Sequence, residues 1–427
     1  MNLALNERFS THCLPNGLRM IHAHQNSPVA YCGFAINAGS RDEAEDEHGL
    51  AHFVEHAVFK GTTNRKAWHI IQRMDSVGGE INAFTTKEET TIHCTFTTEY
   101  FERALELMTD LLFHSTFPQK ELEKEQSVIH DELKSVEDEP DDYIFDHFED
   151  LLFRGHPLGH NIVGDDNSIY NLTSERARIF VQGYYHPSNM VFFSSGEMDF
   201  ERVVTLAERY LGDIVDTPVP HPTRKAPDQR QPFDEVLRRD YRQAHVIIGA
   251  RTPQADDERR FPLALLNYIL GGPCMNSRLN VALRERKGLV YGVESYLNTF
   301  TDAGLFTIYF DTSPIHLAQA LHLVHITVDE LCQTPVSPSL LSAIKKQITG
   351  QIVISAEQKN NLFFALGKEF LHHNRPHSNA RLIERLCDLT AAEIQDAACA
   401  FLHPKGFSTL IYTPNSPSEV RKAIPHP

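Results

Sequence analysis

The sequence has no uninterrupted apolar run long enough to span a membrane. A membrane-crossing helix needs about 20 consecutive apolar residues, and these 427 residues do not contain a run of even roughly 18. Residues 1–12 also lack the apolar core of a secretory signal and the Arg-rich amphipathic pattern of an organellar presequence. We therefore expect a cytoplasmic protein with no membrane partner.

Cysteine and positive charge are also in short supply. The seven cysteines are scattered, odd in number and without any Cys-x-x-Cys pair, which is typical of reduced thiols in a cytosol. Lysine and arginine together number 40 against 57 aspartates and glutamates, which gives a net charge of −17. Because nucleic acids and anionic membrane surfaces attract basic proteins, this excess of acid argues against both as partners.

Histidine, in contrast, is abundant, and two of the 24 stand four residues apart in His52-Phe53-Val54-Glu55-His56. Residues four apart lie one above the other on an α-helix, so both imidazoles can bind one metal ion, as in catalytic zinc sites. Glu55 is turned from the direction of His52 by about 60°, so it can reach the metal's surroundings without binding it. There it would take a proton from water whose pKa the metal lowers.

The residues around this motif predict a helix. Gly61 follows the motif as a helix stop, and Asp46 and Glu47 precede it, where negative charge complements the helix dipole. His48 is also four residues from His52 and is therefore an alternative ligand, although it lies in the acidic approach to the helix. Apolar side chains recur at helical spacing at Leu50, Phe53, Val54, Ala57 and Val58.

A third metal ligand must come from elsewhere in the chain, because a catalytic zinc usually has three protein ligands and one open position. Residues 119–137 form a predicted charge-rich helix after Pro118, and most of its acidic residues suit a solvated face. Glu125 and Glu132, however, are two turns apart and face the same way. That face is turned inward by the apolar residues Val128, Ile129 and Leu133.

Together these residues resemble the pitrilysin/insulinase metallopeptidases, which carry the inverted motif His-x-x-Glu-His. In that family a zinc-binding glutamate follows about 76 residues later, with a second glutamate seven residues before it, and Glu132 and Glu125 have this spacing from His56. The resemblance implies that His52, His56 and Glu132 bind one zinc ion per chain. It implies that Glu55 is the general base and that Glu125 supports the site. Asp131 is the alternative ligand on the second helix, but it would point about 100° away.

The resemblance also assigns substrate-binding residues. Residues 77–85 look like the family's Gly-Gly turn and the strand that pairs with substrate, which implies that Asn82, Ala83 and Phe84 bind the peptide. Residues 155–160, 184–190 and 270–279 match further loops of the family. In the family an arginine and a tyrosine seven apart hold the substrate carbonyls, as Arg284 and Tyr291 would here. The alternative for this pair is a salt-bridging surface arginine and an aromatic residue at the start of a strand.

The chain also contains an internal duplication with an offset of about 216 residues. Strand patterns at 29–40 and 90–97 recur at 244–254 and 305–312, which predicts two homologous α+β domains, each a sheet with helices packed on it. We expect a catalytic domain at 1–216, a proline-rich linker at 217–232 and a second domain at 233–427. The second domain carries Arg284 and Tyr291 but no metal site, because the three ligands correspond to Tyr268, Gly272 and Ile348.

The resemblance implies a zinc-dependent endopeptidase in the short two-domain form of the family, like the subunits of mitochondrial processing peptidase. Two such chains would close around a chamber that admits short or unfolded peptides, as a homodimer or as a heterodimer with a sister chain. One alternative is a non-catalytic or partner-dependent scaffold subunit. A structural zinc protein would need a fourth ligand. The remaining histidines show no partner at metal spacing: His69, His93, His130, His147 and the cluster His372, His373 and His377.

Overall fold

The computed structural model describes residues 8–219, 223–229, 231–376 and 378–423. Its contacts divide the chain into two compact units. The first comprises Met1–Ser135, His160–Thr223 and Ser355–Ser378, and the second comprises Val136–Gly159, Arg224–Ile354 and Asn379–Pro427. None of the helices in the described ranges combines the length and the apolarity that a membrane crossing requires.

The first unit contains a six-stranded mixed sheet. Its strands are β1 (Phe9–Cys13), β2 (Arg19–His24), β3 (Val29–Ile36), β4 (Glu80–Thr85), β5 (Thr90–Thr97) and β6 (Met190–Gly196). They lie in the order β1-β2-β6-β3-β5-β4, with β2 and β6 parallel and the other pairs antiparallel. Strand β4 is therefore at an edge, and its outer backbone groups are not paired within the sheet.

Helices cover both faces of this sheet. On β5 the side chains alternate. Ile92, Cys94 and Phe96 lie in the larger hydrophobic core of this unit, the main core, while His93 faces the opposite side of the sheet. The helices that pack in the main core bury the apolar residues that recur at helical spacing in their sequences. The helices of the first unit are α1 (Leu50–Ala57), α2 (Ala67–Asp75), α3 (Phe101–His114), α4 (Gln119–Asp138), α6 (Ser174–Tyr184), α7 (Phe200–Leu211) and α11 (Lys359–His373).

The second unit repeats this arrangement with five strands: β7 (Asp234–Arg238), β8 (Ala244–Thr252), β9 (Val290–Thr299), β10 (Gly304–Thr312) and β11 (Ser408–Thr413). Their order is β7-β11-β8-β10-β9, and β7 and β11 are the parallel pair. This matches β2-β6-β3-β5-β4 strand for strand, which agrees with the duplication and confirms the α+β class. Its helices are α5 (Pro140–Leu152), α8 (Arg260–Gly271), α9 (Leu317–Gln333), α10 (Pro338–Ala356), α12 (Asn379–Asp388), α13 (Ala391–Phe401) and α14 (Pro417–Ala423).

The predicted domain boundaries need a correction, because neither unit is continuous in sequence. Helix α5 lies before the predicted linker, yet its apolar face is buried with Ile247 and Leu410 of the second sheet. Helix α11 lies after the linker, yet Phe363 and Phe370 are buried with Ile21 and Phe193 of the first sheet. Each exchanged helix covers a sheet face that the other helices of its unit leave open. The strands of the two units therefore lie on opposite sides of residues 217–232 in the sequence, whereas α5 and α11 each lie on the other side from the strands of their unit.

Candidate metal centre and active site

Helix α1 carries three of the predicted site residues, and a buried carboxylate holds its beginning. Gly49 occupies the cap position in the left-handed region (φ 89°), and a Cβ there would lie 2.5 Å from the carbonyl oxygen of Val163. Glu43 accepts hydrogen bonds from the backbone N–H groups of Gly49 (2.9 Å) and Ala51 (2.8 Å). Burial raises the pKa of Glu43 well above its usual range, although the two N–H groups act in the opposite direction.

Glu43 therefore takes the place predicted for Asp46 and Glu47 at the start of the helix. Those two residues lie instead against Arg176, whose guanidinium is 2.8 Å from Asp46 Oδ2 and 3.3 Å from Glu47 Oε1. Sequence proximity indicated the wrong carboxylates because the chain turns between Glu43 and Gly49. Only the turn brings the more distant glutamate to the helix terminus.

The predicted metal ligands converge on one point. His52 Nε2 lies 3.7 Å from Glu132 Oε1, and His56 Nε2 lies 3.8 Å from Glu132 Oε2. The imidazole centroids are 4.6 Å apart, and one ligand atom from each residue lies within 4.8 Å of the others. In the part of the chain that the structure describes, this is the one group of such residues able to hold a metal ion.

These separations fit a bound zinc ion. They exceed hydrogen-bond length, and ligands at about 2.0–2.2 Å from a tetrahedral ion lie roughly 3.4 Å from one another. Burial and the nearby His56 lower the pKa of His52 to about 4, which keeps it in the neutral, ligating form. Burial alone would lower the pKa of His56, but Glu125, Glu55 and Glu132 raise it above the usual range, so this pocket attracts positive charge.

Glu125 supports His56 from the side away from the metal ligands. Its Oε1 lies 2.8 Å from His56 Nδ1, and its Oε2 lies 2.6 Å from Lys60 Nζ. Burial acts to raise the pKa of Glu125, but the hydrogen bonds from His56 and Lys60 outweigh it and lower the pKa. An ionised Glu125 fixes the proton of His56 on Nδ1 and leaves Nε2 free to bind a metal.

Lys60 was missed by the sequence analysis, although one signal was available. It stands four residues after His56, so the turn that continues α1 places both side chains on one side.

Helix α4 presents the two glutamates as predicted, but not with the predicted apolar stripe. Leu122, Glu125, Ile129 and Leu133 are buried along one face. Val128 was predicted to belong to this face, and that prediction was wrong, because its side chain is 51% exposed. Helical geometry explains the error, since Val128 lies about 100° from Ile129 around the axis.

The two alternative ligands fall outside the site. Asp131 is exposed, and His48 Nδ1 lies 3.6 Å from Asp165, with its ring centroid 3.8 Å from that of His160 and the two rings tilted by 37°.

Glu55 stands beside the three ligand residues and does not belong to their set. Its Oε2 accepts a 2.6 Å hydrogen bond from the hydroxyl of Thr85, the last residue of β4. Burial raises the pKa of Glu55. The hydrogen bond from Thr85 and the nearby His56 act to lower this pKa, and the charge of Glu132 acts to raise it. Thr85 was also missed by the sequence analysis, because no spacing rule relates a strand end to a helix 30 residues earlier.

The predicted substrate residues lie on the edge strand β4. Asn82 is exposed, Ala83 packs against the main core, and Phe84 turns to the opposite face, where its ring lies 5.4 Å from that of Phe364 in α11. The open edge of β4 offers backbone donors and acceptors to an extended chain. Ala83 and Thr85 point to the same side of the strand, since side chains alternate.

Arg284 and Tyr291 belong to the second unit. Arg284 lies in the π-helical turn Asn280–Glu285, and Tyr291, in β9, is 84% exposed. The positions equivalent to the metal ligands do not form a metal site in this unit. Tyr268 contacts Cys274 through its hydroxyl (2.9 Å), and Ile348 is buried in the core.

Four of the other histidines named in the sequence analysis either pack against an aromatic ring or contact a polar side chain. His93 lies against Phe364, His130 lies 3.2 Å from Asp166, His147 bonds Tyr412, and His372 bonds Glu89 at 2.8 Å. His69 is exposed, and His377 lies outside the described residues.

Two family models match the chain. The model described as insulinase, peptidase family M16, matches residues 19–166, and the model described as the peptidase M16 inactive domain matches residues 171–348. The metal-site residues all fall within the first. The second covers most of the unit in which the metal ligands are replaced.

Individual proteins agree with these models. The uncharacterized zinc protease YmxG of Bacillus subtilis is 31% identical over 407 residues, which cover 92% of this chain and 97% of that protein. An uncharacterized zinc protease of Mycobacterium leprae is 30% identical over 396 residues, which cover 92% and 89%.

Solved structures share the fold. A protease from Helicobacter pylori superposes with a TM-score of 0.90 at 20% identity, covering 96% of this chain and all of that one. The peptidase M16 inactive domain from Pseudomonas fluorescens superposes with a TM-score of 0.88 at 18% identity, covering 96% and 98%. Both halves of the sequence therefore match models of one family, as the resemblance predicted, and the fold matches that of the two solved structures. This chain belongs to peptidase family M16, the insulinase family.

Proposed function

We propose that this chain is a zinc-dependent endopeptidase that cleaves short or unfolded peptides with water activated by Glu55. The observation that carries the proposal is the convergence of His52, His56 and Glu132 beside a glutamate that is not one of the ligands. The relatives named zinc proteases support the metal and the reaction class.

The ligand set favours a catalytic site over a structural one. Two histidines and one glutamate leave one coordination position for water, whereas a structural zinc site has four protein ligands. No fourth candidate ligand joins this set among the described residues. We therefore expect one zinc ion per chain. When bound, zinc lowers the pKa of water and polarises the carbonyl of a peptide bond.

The protein's own residues divide the remaining chemistry. Glu55 accepts a proton from the attacking water and later donates it to the leaving amine. Glu125 and Lys60 hold His56 in the tautomer that binds metal through Nε2. Because Glu55 is fixed by Thr85 through one oxygen, its other oxygen can take part in proton transfer.

The substrate proposal rests on the open edge of β4. An extended peptide can pair with its backbone beside Asn82 and Ala83, while Phe84 packs on the opposite face. A folded protein does not present such a free strand, so we expect folded proteins to be spared. We further propose that two chains enclose a chamber, as a homodimer or with a sister chain. Arg284 and Tyr291 of the facing chain would then hold the substrate carbonyl.

The rival function is a non-catalytic or partner-dependent scaffold subunit of the same family. That function would not require an intact metal set, and this chain retains the two histidines, the ligand glutamate and the base together. We therefore favour the enzyme.

The test begins with the purified chain, analysed by size-exclusion chromatography with metal analysis and then given a mixed peptide library. We expect one zinc per chain, a dimer, and cleavage of unstructured peptides that a chelator abolishes and zinc restores. Glu55→Gln should keep fold and zinc but lose about 10²- to 10⁴-fold in rate. Cleavage at the parental rate by Glu55→Gln, or the lack of any cleavage by the zinc-loaded parent, would overturn the proposal.

A further inference from the structure

The hydroxyl of Thr85 is the one side-chain group among the described residues that forms a direct hydrogen bond to Glu55. It donates to Oε2 at 2.6 Å, a short hydrogen bond to a charged acceptor. A glutamate has three rotatable bonds, so an unanchored carboxylate would sample several positions around its Cα. The hydrogen bond selects one of them and leaves Oε1 available.

Thr85 is itself held by the turn that follows it, residues 86–89. The backbone N–H of Thr86 donates to the carbonyl of Glu89 at 2.8 Å, and the Thr86 hydroxyl accepts hydrogen bonds from the N–H groups of Glu88 and Glu89. These contacts close the turn that joins β4 to β5, and the strand pairing of Thr85 with Thr90 continues it. The backbone at Thr85 is therefore fixed on both sides.

Three consecutive charged residues anchor this turn, and all three are buried. Glu88 pairs with the buried Arg41 at 2.5 Å, and Lys87 donates to the backbone carbonyl of His160. Glu89 lies 2.8 Å from His372 of helix α11, and Lys368 of the same helix lies 3.5 Å from it. Burying charges is costly unless each is paired, and removing one partner of such a pair is strongly destabilising. The turn is therefore a rigid support for one hydroxyl group.

We propose that Thr85 is a positioning residue for catalysis, holding the Glu55 carboxylate in the orientation that accepts the proton of the attacking water. This inference rests on the function proposed above and adds a residue that acts through the base. The side chain that matters is the hydroxyl: Thr85→Ser keeps it, whereas Thr85→Val removes it with almost no change of shape. Because β4 also offers its edge to peptide, the experiment must distinguish this positioning role of Thr85 from a role in peptide binding.

The experiment compares Thr85→Val, Thr85→Ser and the control Thr95→Val in steady-state hydrolysis of a fluorogenic peptide. Thr95 is a half-buried threonine at the other end of the same hairpin, opposite Glu80. We expect Thr85→Val to lower kcat by about 10- to 100-fold, in line with loss of a hydrogen bond to a charged group, with KM near the parental value. Thr85→Ser and Thr95→Val should stay within about three-fold of the parent.

Two further readouts separate positioning from damage to the fold or to peptide binding. Zinc content, melting temperature and the affinity of metal-free protein for the same peptide, measured by fluorescence anisotropy, should be unchanged in Thr85→Val. In the Glu55→Gln background, Thr85→Val should cause no further loss of rate, because both changes act on one group.

The outcomes also distinguish this inference from the function proposed above. Parental kcat in Thr85→Val, while Glu55→Gln shows its expected loss of rate, would overturn the positioning role alone. A loss confined to KM or to peptide affinity, or a loss that multiplies with that of Glu55→Gln, would do the same. Parental activity in Glu55→Gln would instead overturn the proposed function.

Discussion

Glu125 Oε1 lies 2.8 Å from His56 Nδ1, so the other ring nitrogen of this histidine faces Glu132. Two glutamates seven residues apart on one helix therefore have different tasks. Glu125 contacts both the His56 ring and Lys60, whereas Glu132 makes no contact of comparable length among the described residues and would be available to the proposed metal ion. This division of roles underlies the first two predictions.

Removing Glu132 should abolish tight metal binding. Glu132→Ala loses one of three ligands, and we expect zinc affinity to fall by more than about 100-fold, since even outer partners of metal ligands contribute 10- to 100-fold. Competition with a chromophoric chelator measures the affinity. Asp131→Ala is the matched control, because Asp131 is the exposed neighbour on the same helix and should not affect binding. Equal zinc affinity in Glu132→Ala and parent would contradict the ligand assignment.

Lys60→Met should weaken zinc binding without removing a ligand. Without the ammonium, Glu125 loses its 2.6 Å partner and holds His56 less firmly, so we expect an affinity loss of about 10- to 100-fold. The same chelator competition applies. Lys124→Met is the control, since Lys124 is exposed and lies 2.9 Å from Glu121 at the surface. If both lysine variants bind zinc like the parent, Lys60 has no part in the site.

Glu43→Gln should destabilise the start of α1. The amide can accept through only one oxygen and turns N–H groups toward the backbone N–H of Gly49 or Ala51, so one buried donor loses its partner. We expect a loss of about 1–3 kcal/mol in the free energy of unfolding, measured by urea denaturation of metal-free protein. Glu45→Gln, at an exposed position two residues away, should leave the denaturation midpoint unchanged. Coincident curves for the two variants would show that Glu43 does not cap the helix.

Stability should fall in acid partly because of His93. Burial lowers the pKa of His93 to about 4, whereas the unfolded chain keeps a value of about 6.5. Between these values the unfolded state binds more protons, so this stability is complete above about pH 6.5 and is lost as the pH falls toward 4.

His93→Phe should flatten that part of the curve, because its neighbours Phe363 and Phe364 accept an aromatic ring. His69→Gln, at an exposed position, should run parallel to the parent. The measurement is urea denaturation across the pH range. A slope for His93→Phe equal to that of the parent would rule out His93 as a source of the acid sensitivity.

The proposed homodimer with sites completed in trans predicts complementation. Glu55→Gln and Tyr291→Phe homodimers should each have only a small residual activity. When they are mixed under exchange, the chain that keeps Glu55 receives Tyr291 from its partner. Random pairing at equal amounts then restores roughly a quarter of the parental sites, since half the dimers are mixed and each has one intact site. Differential tags verify the exchange, and inactivity of verified mixed dimers would place the pair in cis.

Much of the site could be predicted because it depends on local geometry. His52 and His56, and likewise Glu125 and Glu132, have spacings that a helix converts directly into shared faces. The strand patterns of β3, β5, β8 and β10 likewise follow from residue alternation. The same reasoning failed at Val128, where an apolar residue beside the buried face was included in it.

Contacts between distant segments could not be predicted in this way. Thr85 reaches Glu55, and Glu43 reaches the start of α1, only because strands and turns bring them together. His372 lies 283 positions from Glu89 and still forms a buried pair with it. No periodicity in the sequence connects such residues.

The sequence by itself determined which residues share a helix face, that the chain is duplicated, and which half carries the candidate metal ligands. These features follow from the fixed periods of helices and strands, which act over a few residues. Only the tertiary structure decided that α5 and α11 exchange units, that Lys60 contacts Glu125 and Thr85 contacts Glu55, and that Glu43 caps helix α1. Those choices depend on which arrangement of the whole chain buries apolar faces while giving each buried charge a partner, and no local pattern contains that information.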